Sequence, residues 1–298
     1  MVKYSVIITS YKEPNLIPKA IESIILSNLS IINQIELLVV CGDKLTYKSA
    51  LDTFQKNNFT TYQLLKDDAR GKSQALNLAF NKAKGDIWVM TDGDMYLSHD
   101  AIVSIVAPFK DKAVSGVTGN IRSLESKTLF FGYYSHVFTQ AANYYRSMQQ
   151  QKMKFFPLSG YLYAIRKQEN LILPDGLRAE DAYLSHLLYK DSSKFVFVNE
   201  AVAYVNFPKN FNDLMMQKIR SLGGNVQNKK YFKDNSRNIM QDLVMFFFPL
   251  TFAKNLKELF FSIAIYPIRL YLWVIIYYNH MTNNYKLGIW DRIDSSKY

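Results

Sequence analysis

Between residues 4 and 90 the chain changes period repeatedly, and that alternation restricts the fold more than any other feature. Apolar β-rich runs at 4–9, 36–40 and, more weakly, 61–65 alternate with stretches whose apolar residues recur at helical spacing, at 16–26, 45–57 and 71–83. A further strand is expected at 87–90. Strand–helix alternation of this kind predicts a mostly parallel α/β sheet with helices on both faces. Ligands on such sheets bind beyond the carboxyl ends of the strands. Ser10, Cys41 to Asp43 and Asp92 to Asp94 all fall at those ends.

The last of these strands reads IWVMTDGDMYL and stops at two aspartates one residue apart, Asp92 and Asp94. A turn at Gly93 can swing both carboxylates towards one point. Two hard oxygen ligands suit a divalent cation whose other ligands are water and phosphate oxygens; a solvated turn is the plainer reading, and convergence with the other strand ends weighs against it. A second acidic pair, Glu180 and Asp181, opens a helix expected at 179–189. There the carboxylates either cap the helix or supply a general base. The run QKIRSLGG brings Gln217, Arg220 and Gly224 together, and an Arg fork matches phosphate oxygens. Alone, such an Arg is more often a solvated helix face. Lys72, near a helix start, is a further phosphate candidate, although neither a Walker loop nor a GxGxxG fingerprint surrounds it. His99, His136, His186 and His280 are too scattered for a metal cluster, and no motif marks Cys41 as a nucleophile.

In the second half, helices are expected at 100–109 and 129–154, and strands at 114–122, 158–165 and 195–198. A boundary is expected at 231–238, dividing a catalytic domain (1–230) from a C-terminal membrane-associated helical region (231–298). That region holds two apolar runs, 243–253 and 259–278. The second is long enough to cross a bilayer, but Arg269 falls near its middle and Pro267 would kink it. Helices lying in the membrane interface, flanked by Lys254, Lys257 and Lys286, are the preferred reading; a true span and a buried core or oligomer helix are the alternatives.

Charge supports that reading. The chain carries a net charge of +11, and residues 201–298 hold thirteen Lys and Arg against six Asp and Glu. An anionic membrane surface or a phosphate-bearing substrate explains a basic excess beside apolar runs better than nucleic acid does. One cysteine in 298 residues forbids an intrachain disulfide and fits a reducing compartment. The strand-like start shows no leader pattern, so the catalytic part is expected at the cytosolic face of a membrane, peripheral or monotopic.

Taken in order, VIITSYKEPNLIPKAIESI, ELLVVCGD, RGKSQALNLAF, AKGDIWVMTDGDMYL, LSGYLYAIRK, LRAEDAYLSHLL and QKIRSLGG carry a resemblance. The chain resembles the family 2 glycosyltransferases of the GT-A fold, an inverting group that includes polysaccharide synthases and lipid-linked sugar transferases. The resemblance implies a Rossmann-like sheet with flanking helices, to which the C-terminal hydrophobic or amphipathic helices are added. It implies a nucleotide-sugar donor, UDP-linked by preference, a Mg²⁺ or Mn²⁺ cofactor, and a lipid-linked or glycan acceptor. By the same resemblance Ser10, Tyr11 and Glu13 contact the nucleotide, with Asp43 a less certain contact and Lys72 nearby. Asp92 serves the nucleotide side and, with Asp94, the metal; Gly160 lies in a strand lining the acceptor channel. Asp181 is the base, with Glu180 beside it, and Gln217 and Arg220 close over the donor diphosphate.

Two departures bear on what such an enzyme does. Ser221 stands where processive members carry the tryptophan of QxxRW, which favours transfer of a single sugar over processive synthesis. Cys41 stands where many members have an aspartate. The competing readings are a processive polysaccharide synthase and an idle nucleotide-sugar-binding scaffold subunit. Nucleotidyl transfer is weaker, because no Gly-rich basic loop follows Thr9.

Overall fold

A computed structural model describes residues 2–189, 193–228, 230–232 and 245–281. The expected boundary at 231–238 falls mostly outside the described residues, as do 243, 244 and Lys286.

Eight strands form one sheet in the order β3-β2-β1-β4-β7-β6-β8-β5. Its first half is the predicted alternation: β1 (Tyr4–Ser10), α1 (Ile17–Ser27), β2 (Ile35–Cys41), α2 (Lys44–Lys56), β3 (Tyr62–Lys66), α3 (Lys72–Phe80) and β4 (Ile87–Asp92). β1 pairs in parallel with both β2 and β4, and β2 with β3. Successive side chains of these strands face opposite layers. Val6, Ile8, Leu37 and Val39 pack with Ile21, Ile24 and Phe54 of α1 and α2. Ile7, Leu38, Val40 and Trp88 pack with Leu76 and Phe80 of α3. Cover on both faces is why these strands read as unbroken apolar runs.

The second half is mixed. β5 (Met95–Leu97), α4 (Ala101–Val106), β6 (Val114–Ser123), α5 (Phe130–Gln151), β7 (Leu162–Arg166), α6 (Glu180–Leu188) and β8 (Lys194–Val205) follow in turn. β7 runs antiparallel to β4 and β6, and β5 antiparallel to β8, while β6 and β8 are parallel. Four of the seven strand pairings are therefore parallel. Three sequence expectations shift. The strand expected at 158–165 begins only at Leu162, because Ser159 and Gly160 turn the chain. The one expected at 195–198 extends to Val205, and β5 has no apolar alternation long enough to announce it. Pro108 tightens the end of the 100–109 helix into a 3₁₀ turn.

The chain ends in α7 (Phe211–Asn228), α8 (Phe248–Phe252) and α9 (Leu256–Met281). Of the run expected at 243–253 only the last turn is helical, whereas α9 continues through Pro267. α9 lies against α5, α7 and α8. Ile265 joins Tyr133, Val137 and Leu214 in a separate apolar cluster, and the Tyr133 hydroxyl meets Ser262 Oγ at 2.8 Å. α9 thus shares one packed seam with α5 and α7.

Candidate active site

The turn after β4 depends on a missing side chain. A Cβ at Gly93 would collide with Cβ and Oγ of Ser10, and the Gly93 amide donates to the Thr9 carbonyl at 3.0 Å. Only glycine lets the two strand ends lie this close, and the aspartates on either side project from that junction. Asp92 accepts from the Thr9 hydroxyl at 3.1 Å and from Lys72 Nζ at 2.6 Å. The same ammonium reaches Glu180 at 3.2 Å. The side chains of Lys72 and Glu180 are 9% and 5% exposed, so this is a buried carboxylate–ammonium–carboxylate bridge from β4 across α3 to α6. Burial works against the Lys72 charge, but Asp92 and Glu180 outweigh it and hold its pKa well above the ordinary value. Burial pushes the Asp92 carboxyl up; Lys72 opposes this and the charge of Asp94 adds to it.

Glu180 and Asp181 are adjacent but do different things. Glu180 is committed to Lys72, a structural partnership that the sequence, which grouped it with the catalytic residues, did not reveal. Asp181 instead takes backbone N–H bonds from Ala182 and Gly160. Burial raises its pKa, with Lys72, those two amides and Arg146 pulling the other way. Gly160 is not in a strand, as expected, but in the turn before β7, where a Cβ would stand 2.9 Å from Asp181 Oδ2. The chain turns there because the Ser159 amide is held by Thr118 Oγ1 and the Ser159 carbonyl by the Leu162 amide.

A cavity of about 460 Å³ joins these groups. Lys72, Asp92, Gly160, Glu180, Asp181, Gln217, Arg220 and Ser221 all line it, so residues spread over 150 positions of sequence meet in one space. Gln217 Oε1 is buried there without a hydrogen-bond partner, a cost that a ligand hydroxyl would relieve. Tyr161, which the sequence did not single out, also lines the cavity. Burial lifts its hydroxyl pKa to about 12; Arg220 opposes this, and Asp94, Asp92 and Asp181 reinforce it. Asp94 is not among the lining residues, and Ser10, Tyr11, Glu13 and Asp43 lie at the ends of β1 and β2. Ser10 donates to Glu13 at 2.7 Å, and the Glu13 amide to Thr46 Oγ1 at 2.9 Å. Asp43 caps α2 through the Thr46 amide and also accepts from the Lys12 amide. Glu13 and Asp43 therefore shape the loop, and Tyr11 is the member of this group with substantial exposure, 42%.

Metal binding has a defined place in this geometry. Among the described residues no group of three or more His, Cys, Asp or Glu side chains could hold an ion unaided. Asp92 and Asp94 sit close enough for the charge of one to raise the pKa of the other, the repulsion that a divalent cation relieves. Two carboxylates fit an ion whose remaining ligands come from water and a diphosphate.

Comparison with known proteins finds the same fold in solved structures. A mannosyltransferase from Pyrobaculum calidifontis, PcManGT, solved with GDP-Man and Mn²⁺, superposes with a TM-score of 0.63 over 95% of this chain and 81% of its own, at 19% identity. Glucosyl-3-phosphoglycerate synthase from Mycobacterium tuberculosis, solved with Mn²⁺, UDP-Glc and phosphoglyceric acid, gives 0.52 over 77% and 79%, at 16% identity. Glycosyltransferase GlyA of Streptococcus pneumoniae is 26% identical over 212 residues, which are 67% of this chain and 30% of GlyA. The chain thus spans about a third of the length of that relative. The sequence profile of glycosyl transferase family 2 matches residues 5–170, and that of glycosyl transferase family group 2 matches 88–286. The chain belongs to glycosyl transferase family 2.

Proposed function

We propose that this protein is an inverting glycosyltransferase that moves one sugar from a nucleotide sugar to a hydroxyl of a lipid-linked or glycan acceptor. The observation that carries the reading is Asp181. Its carboxylate is half-buried at the wall of the shared cavity and takes two backbone N–H bonds, and burial raises its pKa. A raised pKa makes the ionised carboxylate a stronger base.

In this reading the acceptor hydroxyl gives its proton to Asp181 while its oxygen attacks the anomeric carbon. The bond to the nucleoside diphosphate breaks in the same displacement, with inversion. Arg220 faces the charge that builds on the departing diphosphate, and Gln217 offers its buried oxygen to a sugar hydroxyl. A Mg²⁺ or Mn²⁺ ion held by Asp94 and Asp92 would offset the diphosphate charge when bound. Lys72 holds Asp92 and Glu180 in place, which orients the neighbouring Asp181 through α6. UDP-sugars are the first donors to test. GDP-sugars come next, because the Pyrobaculum neighbour holds GDP-Man. Ser221 lines the cavity at the position where processive members carry tryptophan, which supports single transfer over processive synthesis.

The outer face of α9 supports a membrane-surface location. Leu256, Phe260, Ile263, Leu270, Val274 and Tyr278 are exposed along one side, a stripe about 33 Å long at 1.5 Å per residue. Residues Leu256–Ile275 are long and apolar enough to cross a membrane. The opposite side packs on α5 and α7, so lipid can reach only the outer half of the helix. That suits a helix lying in the membrane interface.

The test is nucleoside-diphosphate release from UDP-, GDP- and dTDP-sugars with Mn²⁺ or Mg²⁺. Metal-dependent release from one donor, lost in Asp94→Asn, is the expected result. Release that survives Asp94→Asn would remove the metal role, and absence of both release and nucleotide binding would overturn the glycosyltransferase reading.

A further inference from the structure

α6 begins without a cap of its own. Its N-cap position is Ala179, whose side chain has no oxygen to offer the first amides, and Glu180 and Asp181 follow at once. The loop leading into this helix is held from outside, by α7. Gln227 Oε1 accepts from the Arg178 amide at 3.0 Å, and Gln227 Nε2 donates to the Gly176 carbonyl at 2.9 Å. Asn228 Nδ2 donates to the Ala179 carbonyl at 3.2 Å, the same oxygen that takes the Tyr183 amide in the first turn of α6. A Cβ at Gly224 would stand 2.6 Å from Ala179 Cβ, so only glycine there lets α7 come this close.

The same helix carries residues that line the cavity. Gln217, Arg220, Gly224 and Gln227 follow at intervals of three, four and three residues, which puts them on one face of α7. Arg220 and Gln227 are two turns apart, about 10 Å along the axis. One end of this face presents Gln217 and Arg220 to the cavity, and the other grips the start of α6, where Asp181 stands. Gln227 itself is not among the lining residues.

We propose that Gln227 is a positioning residue for the reaction: it fixes the entry to α6 so that Asp181 and Arg220 keep one spacing across the reacting centre. Its carboxamide meets one donor and one acceptor of the loop together, which neither an apolar nor a charged side chain does. Base and diphosphate-facing cation then move as one body, and a shift of α7 around the donor is carried to Asp181. The inference deepens the glycosyltransferase reading and rests on it for the role of Asp181.

The experiment is kinetics of nucleoside-diphosphate release by the full chain with Mn²⁺, from the UDP-, GDP- or dTDP-sugar on which the wild type acts. Affinity for the matching nucleoside diphosphate is measured beside it by calorimetry. Gln227→Ala should lower kcat by roughly tenfold or more and change nucleotide affinity by less than about twofold. The acid limb of its kcat/KM profile should move to higher pH, because a displaced Asp181 loses the Gly160 amide that lowers its pKa. Lys72 of α3 and Arg146 of α5, which lower it as well, stay in place. Gln227→Glu keeps the acceptor for the Arg178 amide but loses the donor to Gly176. It should fall between the wild type and the alanine variant, and it stands in if the latter does not fold. In an Asp181→Asn background, Gln227→Ala should cost no further rate. Wild-type kcat in both variants would overturn the proposal. So would a loss that recurs in full in the Asp181→Asn background with the pH midpoint unmoved, since that is what simple destabilisation gives. Nucleotide affinity falling as far as kcat would assign Gln227 to the donor side and overturn it too. No release by the wild type would overturn the glycosyltransferase reading instead, a result distinct from release that the Gln227 variants leave untouched.

Discussion

At residue 160 the space for a methyl group is taken by the Asp181 carboxylate, so the site tests its own geometry by substitution. Gly160→Ala should push the carboxylate off its two amides and lower kcat by tenfold or more, with a smaller effect on donor affinity. Asp181→Asn should bind nucleotide yet lose transfer by a factor on the order of 10²–10⁴. Because Asp181 works as the ionised base and burial raises its pKa, activity should fall as pH drops, with a midpoint above the ordinary carboxylate value of about 3.9. A pH profile of kcat/KM that stays flat down to pH 4 would contradict the assignment. Lys72→Met removes the ammonium shared by Asp92 and Glu180 and leaves two buried carboxylates facing each other. Urea unfolding should show a loss of about 3–5 kcal/mol. That Asp92, Glu180, Asp181 and Arg220 meet in one cavity was legible in the sequence only through the resemblance carried by their ordered motifs. The division of labour between Glu180 and Asp181 was not, since it depends on Lys72 arriving from 108 positions away. Nor was Tyr161, one tyrosine among twenty-one until the fold sets it among Arg220 and three aspartates.

Elements differ in how openly they declare themselves. β1, β2 and β4 are buried on both faces and alternate with helices, so period and apolar content are enough to find them. β5 is three residues long and owes its existence to pairing with β8; no local pattern encodes a partner more than a hundred residues away. Position 158–161 reads as strand by composition, yet hydrogen bonds to Thr118 and Leu162 make it the turn that presents Gly160. α9 was the most ambiguous element, because Arg269 and Pro267 contradict a span while its apolar content suggests one. In the fold the two sides of this helix face differently, one packed on α5 and α7 and the other exposed. Ile265→Ala, on the packed side, should cost about 2–5 kcal/mol of stability by urea unfolding. Phe260→Glu combined with Val274→Glu, on the outer side, should release the protein from anionic vesicles in a flotation assay with little change in the urea midpoint.

Across the whole molecule, the cavity is lined both by Asp92 at the end of β4 and by residues of the C-terminal helix, so in the proposed reading attachment and chemistry share one space. Truncation after Asn228 should both release the protein from membranes and abolish transfer to an acceptor. A truncated chain that floats with vesicles would refute the role of α9, and one that keeps full transfer would refute its part in the cavity. The outer stripe of α9 has a practical consequence of its own. Among the described residues nothing covers it, and in plain aqueous buffer the cheapest way to shield an apolar line about 33 Å long is to lay it against another copy. Purified without detergent, the protein should therefore run as concentration-dependent aggregates. Such particles would reflect a surface deprived of its bilayer, not an assembly that the enzyme uses.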